Sequence, residues 1–182
     1  MSSDSAAAVD EVEKPETHHK VIAKLEAAGV AFTRSHHAPA KTSEEAAQIR
    51  GFPLQCGAKA IVMAVKLKAT QADTSTFVLF VMSATHKLDS KKARKIVAGC
   101  KSMSFATPDQ VKQLTGCIPG AVPPFGSVWS IQTYMDNSLR NVGEYIDFNA
   151  GLRTDSVRMR QEDYERVENP IVSDFTTPPD TL

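Results

Sequence analysis

Residues 57–83 read GAKAIVMAVKLKATQADTSTFVLFVMS, two apolar runs around a polar middle. Lys59–Leu67 and Thr76–Met82 have strand length and strand composition, and the polar stretch Lys68–Ser75 joins them, so the segment predicts a hairpin with a long loop. Along a strand, side chains alternate between faces. Lys59 therefore shares a face with the large residues Ile61, Met63, Val65 and Leu67, while Lys66 and Lys68 fall among Ala58, Ala60, Val62 and Ala64. A lysine at the open end of a large apolar row either points into the mouth of a cavity or snorkels to solvent. In the cavity it needs an anionic or carbonyl partner, because an unpaired buried ammonium is costly.

Outward from the hairpin, the chain alternates short helices and strands. Val21, Ile22, Leu25 and Ala28 make one stripe of a helix over 15–28 that Gly29 ends. Val30–Ser35 reads as a short strand, and Thr42-Ser43-Glu44-Glu45 as a capping box opening a helix that stops at Gly51. Asp89 or Ser90 caps a helix to Ala98, Ser102–Ala106 is a strand, and Thr107-Pro108-Asp109-Gln110 opens a helix to about Leu114. Val128–Ile131 and Tyr134–Asp136 read as strands. Tyr145–Phe148 and Ser156–Arg160 read as a strand pair around a turn at Asn149-Ala150-Gly151, and a short helix follows at Glu162–Val167. The pattern predicts a single α/β (α+β) domain over 15–168, between a disordered acidic arm at 1–14 and a proline-rich tail at 169–182.

Composition narrows the partners. The chain has 182 residues, and its 21 basic and 21 acidic residues cancel, which excludes a protein that coats nucleic acid through overall charge. The apolar runs Ala60–Val65 and Phe77–Met82 fall far short of the ~20 residues a membrane span needs. Cys56, Cys100 and Cys117 are odd in number and widely spaced, without a CxxC pair. The histidines occur as His18/His19, His36/His37 and His86, and neighbouring helical residues point about 100° apart, so no pair makes a metal face. No GxSxG, HExxH, P-loop or GxGxxG string occurs. These features predict a cytoplasmic protein with free thiols, no metal, no cofactor and no membrane partner.

Two further features could carry chemistry. GCIPGAVPPFG at 116–126 holds three glycines and three prolines. Gly116 and Gly120 let main-chain N–H groups approach a ligand while Pro119, Pro123 and Pro124 stiffen the loop; the alternative is a rigid connection. Between His86 and Lys101 lie Lys87, Lys91, Lys92, Arg94 and Lys95 against one acid, Asp89, a local excess that either contacts phosphates or is simply a solvated helix face.

GAKAIVMAVK at 57–66, HKLDSKKARKI at 86–96, TGCIPGAVPPFG at 115–126 and FNAGLRTDSVRM at 148–159 resemble the YbaK family. That family includes free-standing aminoacyl-tRNA deacylases and the editing domain inserted in bacterial prolyl-tRNA synthetases. The resemblance covers about residues 20–168. It implies a mixed, curled sheet enclosing a pocket with helices packed outside, and metal-independent hydrolysis of the ester of mischarged tRNA, tRNA(Pro) or a relative. It implies catalytic roles for Lys59, Gly120 and Ala121. Gly116, Val122, Pro123 and Pro124 then hold the terminal adenosine and aminoacyl group, and Asn149, Gly151 and Ser156 form the last pocket segment. Lys87, Lys91, Lys92 and Lys95 would contact the acceptor end of tRNA, with an aminoacyl-tRNA synthetase or translation factor as a further partner. Members that clear alanine carry histidine at the position of Asn149; members that clear cysteine carry serine there and aspartate at the position of Ser156. Two rival readings remain, an inactive tRNA-binding adaptor of the same fold and a cysteine hydrolase using Cys56 or Cys117.

Overall fold

The two apolar runs form the centre of the molecule, and each is apolar on both faces because each face packs on something different. The computed structural model describes residues 15–68 and 75–179. The expected acidic arm at 1–14, the loop residues 69–74 and the last three residues, 180–182, lie outside it. In chain order the elements are α1 (Glu16–Ala27), β1 (Phe32–His36), α2 (Ser43–Arg50), β2 (Ala58–Leu67), β3 (Thr76–Ser83), β4 (Lys87–Leu88), α3 (Ser90–Ile96) and β5 (Cys100–Phe105). They continue with α4 (Pro108–Thr115), β6 (Gln132–Asp136), β7 (Tyr145–Leu152), β8 (Asp155–Arg160), α5 (Gln161–Glu168), β9 (Ile171–Ser173) and β10 (Thr176–Thr177).

β2 and β3 pair antiparallel from Ala58 opposite Ser83 to Val65 opposite Thr76, the expected hairpin. They sit in a five-stranded mixed sheet of order β5-β2-β3-β6-β9, with β6 and β9 added in parallel. This is the expected mixed sheet, and two smaller sheets accompany it. β1, β8 and β7 form a separate antiparallel sheet, β10 and β4 pair alone, and one parallel bridge between Gly57 and Asp147 links β7 to the start of β2.

Alternation along β2 and β3 then builds two cores. Ala58, Val62, Leu79 and Val81 face the larger one, closed by Ile146, Phe148, Val157 and Met159 of the three-stranded sheet and by Val21, Ile22 and Leu25 of α1. Met63, Val65, Val78, Phe80 and Met82 face the smaller one, covered by Ala93 of α3 and by Phe175. The large row of β2 thus faces the smaller core, because α3 lies close over it, whereas the small side chains face the thicker layer.

Caps set the helix ends. Thr107 and Gln110 form the full reciprocal capping box of α4, which ends at Gly116 with φ of 70°. At α2 the Thr42 side chain accepts from Glu45 N–H, but the Glu45 carboxylate reaches back to Lys41 N–H instead of Thr42, so only half of that box forms.

Three expectations change. Val128–Ile131 is no strand: Gly126–Trp129 makes a 3-10 turn closed by Ser130 at φ 57°, and the Glu168 carboxylate pins it by accepting from Ser127 N–H and Oγ and from Thr133 Oγ1. The turn expected at 149–151 lies after β7, which runs to Leu152 through a register shift beyond Asn149. The stretch expected as a proline-rich tail at 169–182 enters the fold through β9, Phe175 and β10.

Asp136 holds that C-terminal stretch in place. It is 3% exposed and accepts from Phe175 N–H at 2.7 Å, Thr176 Oγ1 at 2.9 Å and Ser138 N–H at 2.9 Å. Burial raises its pKa, but the hydrogen bonds from Phe175, Ser138 and Thr176 outweigh burial and hold the carboxyl below the ordinary aspartate value. Phe175, so fixed, lies 4.8 Å from the Phe80 ring, which stacks on Tyr134 at 5.1 Å. Asp136→Ala is expected to cost about 3 kcal/mol in urea unfolding, since it orphans several buried donors. A group whose folded pKa is depressed stabilises above its unfolded pKa and stops doing so as pH falls through the folded value. Wild-type stability should therefore drop below about pH 4 more steeply than that of Asp136→Asn; equal acid limbs would show that the charge is not what the hydrogen bonds hold.

Candidate active site

β5 pairs with β2 from Leu67 only as far as Met63, opposite Phe105. One more main-chain bond follows, Ala106 N–H to Val62 C=O at 3.1 Å, and Thr107-Pro108 then turns the chain into α4. Because alternate residues present their peptide groups to the same edge of a strand, the N–H and C=O of Ala60 face the side that β5 has left. A cleft of about 430 Å³ occupies this gap, walled by one side of α2 (Ser43, Ala46 and Arg50) with the residues just before it, the loop at Pro119–Val122 and Asp147–Asn149 of β7.

Lys59, Gly120, Val122 and Asn149 line this cleft, so the structure brings together one residue or more from three of the predicted segments. Lys59 lies half-buried on the Ile61–Met63–Val65 face of β2. Its ammonium neither snorkels freely nor hangs unpaired: Nζ donates to His86 C=O at 2.5 Å and to Ala84 C=O at 3.5 Å. Burial lowers its pKa, with Glu44 opposing the shift and Lys87 adding to it. An ammonium has three N–H groups, so one remains for a ligand.

Asn149 is the cleft's clasp. Its Nδ2 donates to Gly120 C=O at 2.6 Å, tying β7 to the glycine-proline loop. Its Oδ1 accepts from Arg50 Nη2 and from Ser156 Oγ at 3.3 Å. Behind it Ser156 is buried and bonded to His37 Nε2 at 2.6 Å, so it supports the clasp from outside the cleft lining. Gly120 has φ of 85°, a conformation only glycine takes without strain, and Arg153 Nη2 fixes the preceding carbonyl of Pro119 at 2.6 Å.

The other predicted residues lie outside the lining. Ala121 is 1% exposed, its N–H bonded to Ile118 C=O and its C=O to Gly151 N–H, so it has no free donor for an oxyanion. Pro123 and Pro124 are buried under the loop, and Pro124 C=O receives the Tyr164 hydroxyl. Gly116 caps α4. Gly151, at φ 90°, lets β7 pass α1, where an added Cβ would lie 3.1 Å from His18 N.

Sequence reasoning missed Arg50, Asp147 and Phe105. Arg50 read as the last residue of a helix, yet it lines the cleft; burial lowers its pKa and Asp147 opposes this. Its Nε is buried without a hydrogen bond. Asp147 could have been noticed as an acid inside the apolar run Tyr145–Phe148. It is 3% exposed and its pKa is raised to about 6, by burial first, against the pull of Arg158 and Arg50. Arg158 Nη1 pairs with Asp147 at 3.2 Å while its guanidinium lies 3.6 Å from the Phe52 ring centre.

Of the basic cluster, Lys91 and Lys95 line a second groove together with Lys68 and Arg94. Lys92 instead donates to Thr176 C=O at 3.0 Å, and Lys87 lies in β4, paired opposite Thr177. Burial raises the Cys56 and Cys117 thiols, the wrong direction for a nucleophile at neutral pH. Among the described residues no three His, Cys, Asp or Glu side chains converge as a metal site, and no helix is long and apolar enough to cross a membrane.

Residues 37–167 match the family model of the aminoacyl-tRNA editing domain. The chain is 33% identical over 159 residues to the multifunctional Ser/Thr-tRNA deacylase ProXp-y of Escherichia coli strain K12, covering 87% of this chain and 92% of that protein. It is 29% identical over 105 residues to the proline–tRNA ligase of Methylobacillus flagellatus, of which it spans only 18%. The fold matches a crystal structure given as that of a candidate trans-editing enzyme for prolyl-tRNA synthetase, with a TM-score of 0.73 at 24% identity, covering 91% of this chain and 99% of that one. With a family match over most of its length and a relative matched nearly end to end, this chain belongs to the aminoacyl-tRNA editing family and is an aminoacyl-tRNA hydrolase.

Proposed function

We propose that this protein acts in trans in the cytoplasm, clearing tRNA wrongly charged with a small hydroxylated amino acid, serine or threonine, from the cleft between β2, α2 and the Pro119–Val122 loop. The observation that carries the reading is the donor set: Lys59, Arg50 and Asn149 converge on one cleft beside an unpaired strand edge. An aminoacyl ester is already activated, so its hydrolysis needs positioning, a water and donors for the developing oxyanion rather than a protein nucleophile. Water adds to the ester carbonyl, the oxyanion collapses, and the ribose oxygen leaves with a proton.

In this reading the remaining Lys59 N–H points at the carbonyl oxygen, and the Asn149–Gly120 clasp sets the distance between β7 and the loop. The amide of Asn149 and the hydroxyl of Ser156 differ from the residues implied for alanine- and cysteine-clearing members. Together with the Ser/Thr activity in the name of the Escherichia coli relative, they support a hydroxylated substrate. A site that hydrogen-bonds a substrate hydroxyl rejects analogues lacking it, because its own polar groups are then left unpaired. The cleft is lined by residues of this chain, which supports action without a synthetase as partner.

Incubation with tRNAs charged with alanine, cysteine, serine, threonine or proline, read as ester loss on acid gels, should show fastest loss of serine and threonine. Loss of none would favour the inactive adaptor. Lys59→Ala should fold, by circular dichroism and melting, yet deacylate at least about a hundredfold more slowly; a folded variant at the wild-type rate would refute the role of Lys59.

The groove of Lys68, Lys91, Arg94 and Lys95 is proposed to hold acceptor-stem phosphates. Lys91→Ala with Lys95→Ala should weaken binding to every tRNA and flatten its salt dependence by about one unit of slope per lost contact. The ranking of amino acids should stay as it was, because phosphate contacts position without selecting. An unchanged salt slope would make this groove an ordinary solvated surface.

A further inference from the structure

Phe105 is 60% exposed, although it lines the cleft. The other exposed phenylalanine, Phe52, carries the Arg158 guanidinium against its ring, whereas Phe105 meets no ring and no cation among the described residues. Its place is fixed by β5, whose last residue it is, directly opposite Met63 of β2. Opposed residues of an antiparallel pair share a face, so Phe105 stands on the same face as Ile61 and Lys59. About 10 Å along β2 from the position opposite Phe105, the peptide group of Ala60 presents a donor and an acceptor to the cleft, at the edge that β5 has left.

We infer that the cleft reads the nucleobase of the substrate's 3′-terminal nucleotide, stacked on Phe105 and hydrogen-bonded through its edge to the main chain of Ala60. The inference rests on the editing reading above and adds to it where the base goes. Exposed aromatic rings are the usual platform for an unstacked base. An adenine edge offers N1 as acceptor and the N6 amino group as donor, the complement of one residue's N–H and C=O. The position opposite Phe105 and the position of Lys59 lie about 13 Å apart along β2. With the base at one end, the ester of the same nucleotide is directed along the cleft toward the Lys59 end and the Gly120 loop.

The test is an NMR titration of the whole protein with the dinucleotide cytidylyl-adenosine. Phe105→Ala, at an exposed position, should fold and bind at least about tenfold more weakly than wild type. Phe105→Trp should restore the affinity and Phe105→Leu should not. Wild type should bind a dinucleotide with an abasic 3′ sugar as weakly as the alanine variant binds the adenine form. It should also discriminate against cytidylyl-inosine, whose N1–H and O6 reverse the donor and acceptor. Unchanged affinity in Phe105→Ala, or leucine serving as well as tryptophan, would overturn the stacking. Equal affinity for the inosine form would overturn the contact to Ala60. These outcomes do not depend on hydrolysis, so failure of the editing reading would show separately, as uncleaved esters on the charged-tRNA panel.

Discussion

β5 parts from β2 at the hydrogen bond between Ala106 and Val62, and the site depends on that departure. Had the two strands stayed paired to the end of β2, the peptide groups at Ala60 would be satisfied and the gap closed. The turn at Thr107-Pro108 leads the chain away, and the capping box of α4 makes the departure stable. The larger core keeps the opened edge rigid from behind, because Ala58 and Val62 remain packed against the three-stranded sheet. An open strand edge is therefore created within regular structure.

The polar lining follows from the same geometry. Groups in a half-closed cleft lose water, and each must find a partner or shift its ionisation. Lys59 meets this with carbonyls of the turn after β3, Asp147 with Arg158, and Arg50 with the Asn149 side chain. None of these arrangements uses every donor: Lys59 keeps one N–H, and the Arg50 Nε has no partner. Spare donors around an apolar floor suit a substrate that brings a carbonyl and develops negative charge on it.

How far this was legible in the sequence differs from part to part. The hairpin, the capped helices and the loop were readable because they rest on local rules, namely alternation, capping and the φ that glycine allows. Lys59 was readable because strand register places it with Ile61 and Met63. Ala121 was misread because which loop N–H stays free depends on the Ile118 carbonyl folding back on it, a contact that composition does not encode. Arg50 reaches the Asn149 side chain of β7, and Arg158 reaches Asp147, only in the folded chain, and the C-terminal strands form only because a buried Asp136 receives the Phe175 and Thr176 donors. Both are long-range pairings between polar residues, and neither leaves a periodic trace.

The most direct measurement of the central claim is a crystal structure with a non-hydrolysable substrate mimic, 3′-seryl-amino-3′-deoxyadenosine. The account predicts its amide carbonyl oxygen within about 3 Å of Lys59 Nζ, with the Asn149–Gly120 hydrogen bond intact beside it. A mimic seated elsewhere, in the Lys91–Lys95 groove or with Lys59 still bound only to the His86 and Ala84 carbonyls, would contradict it.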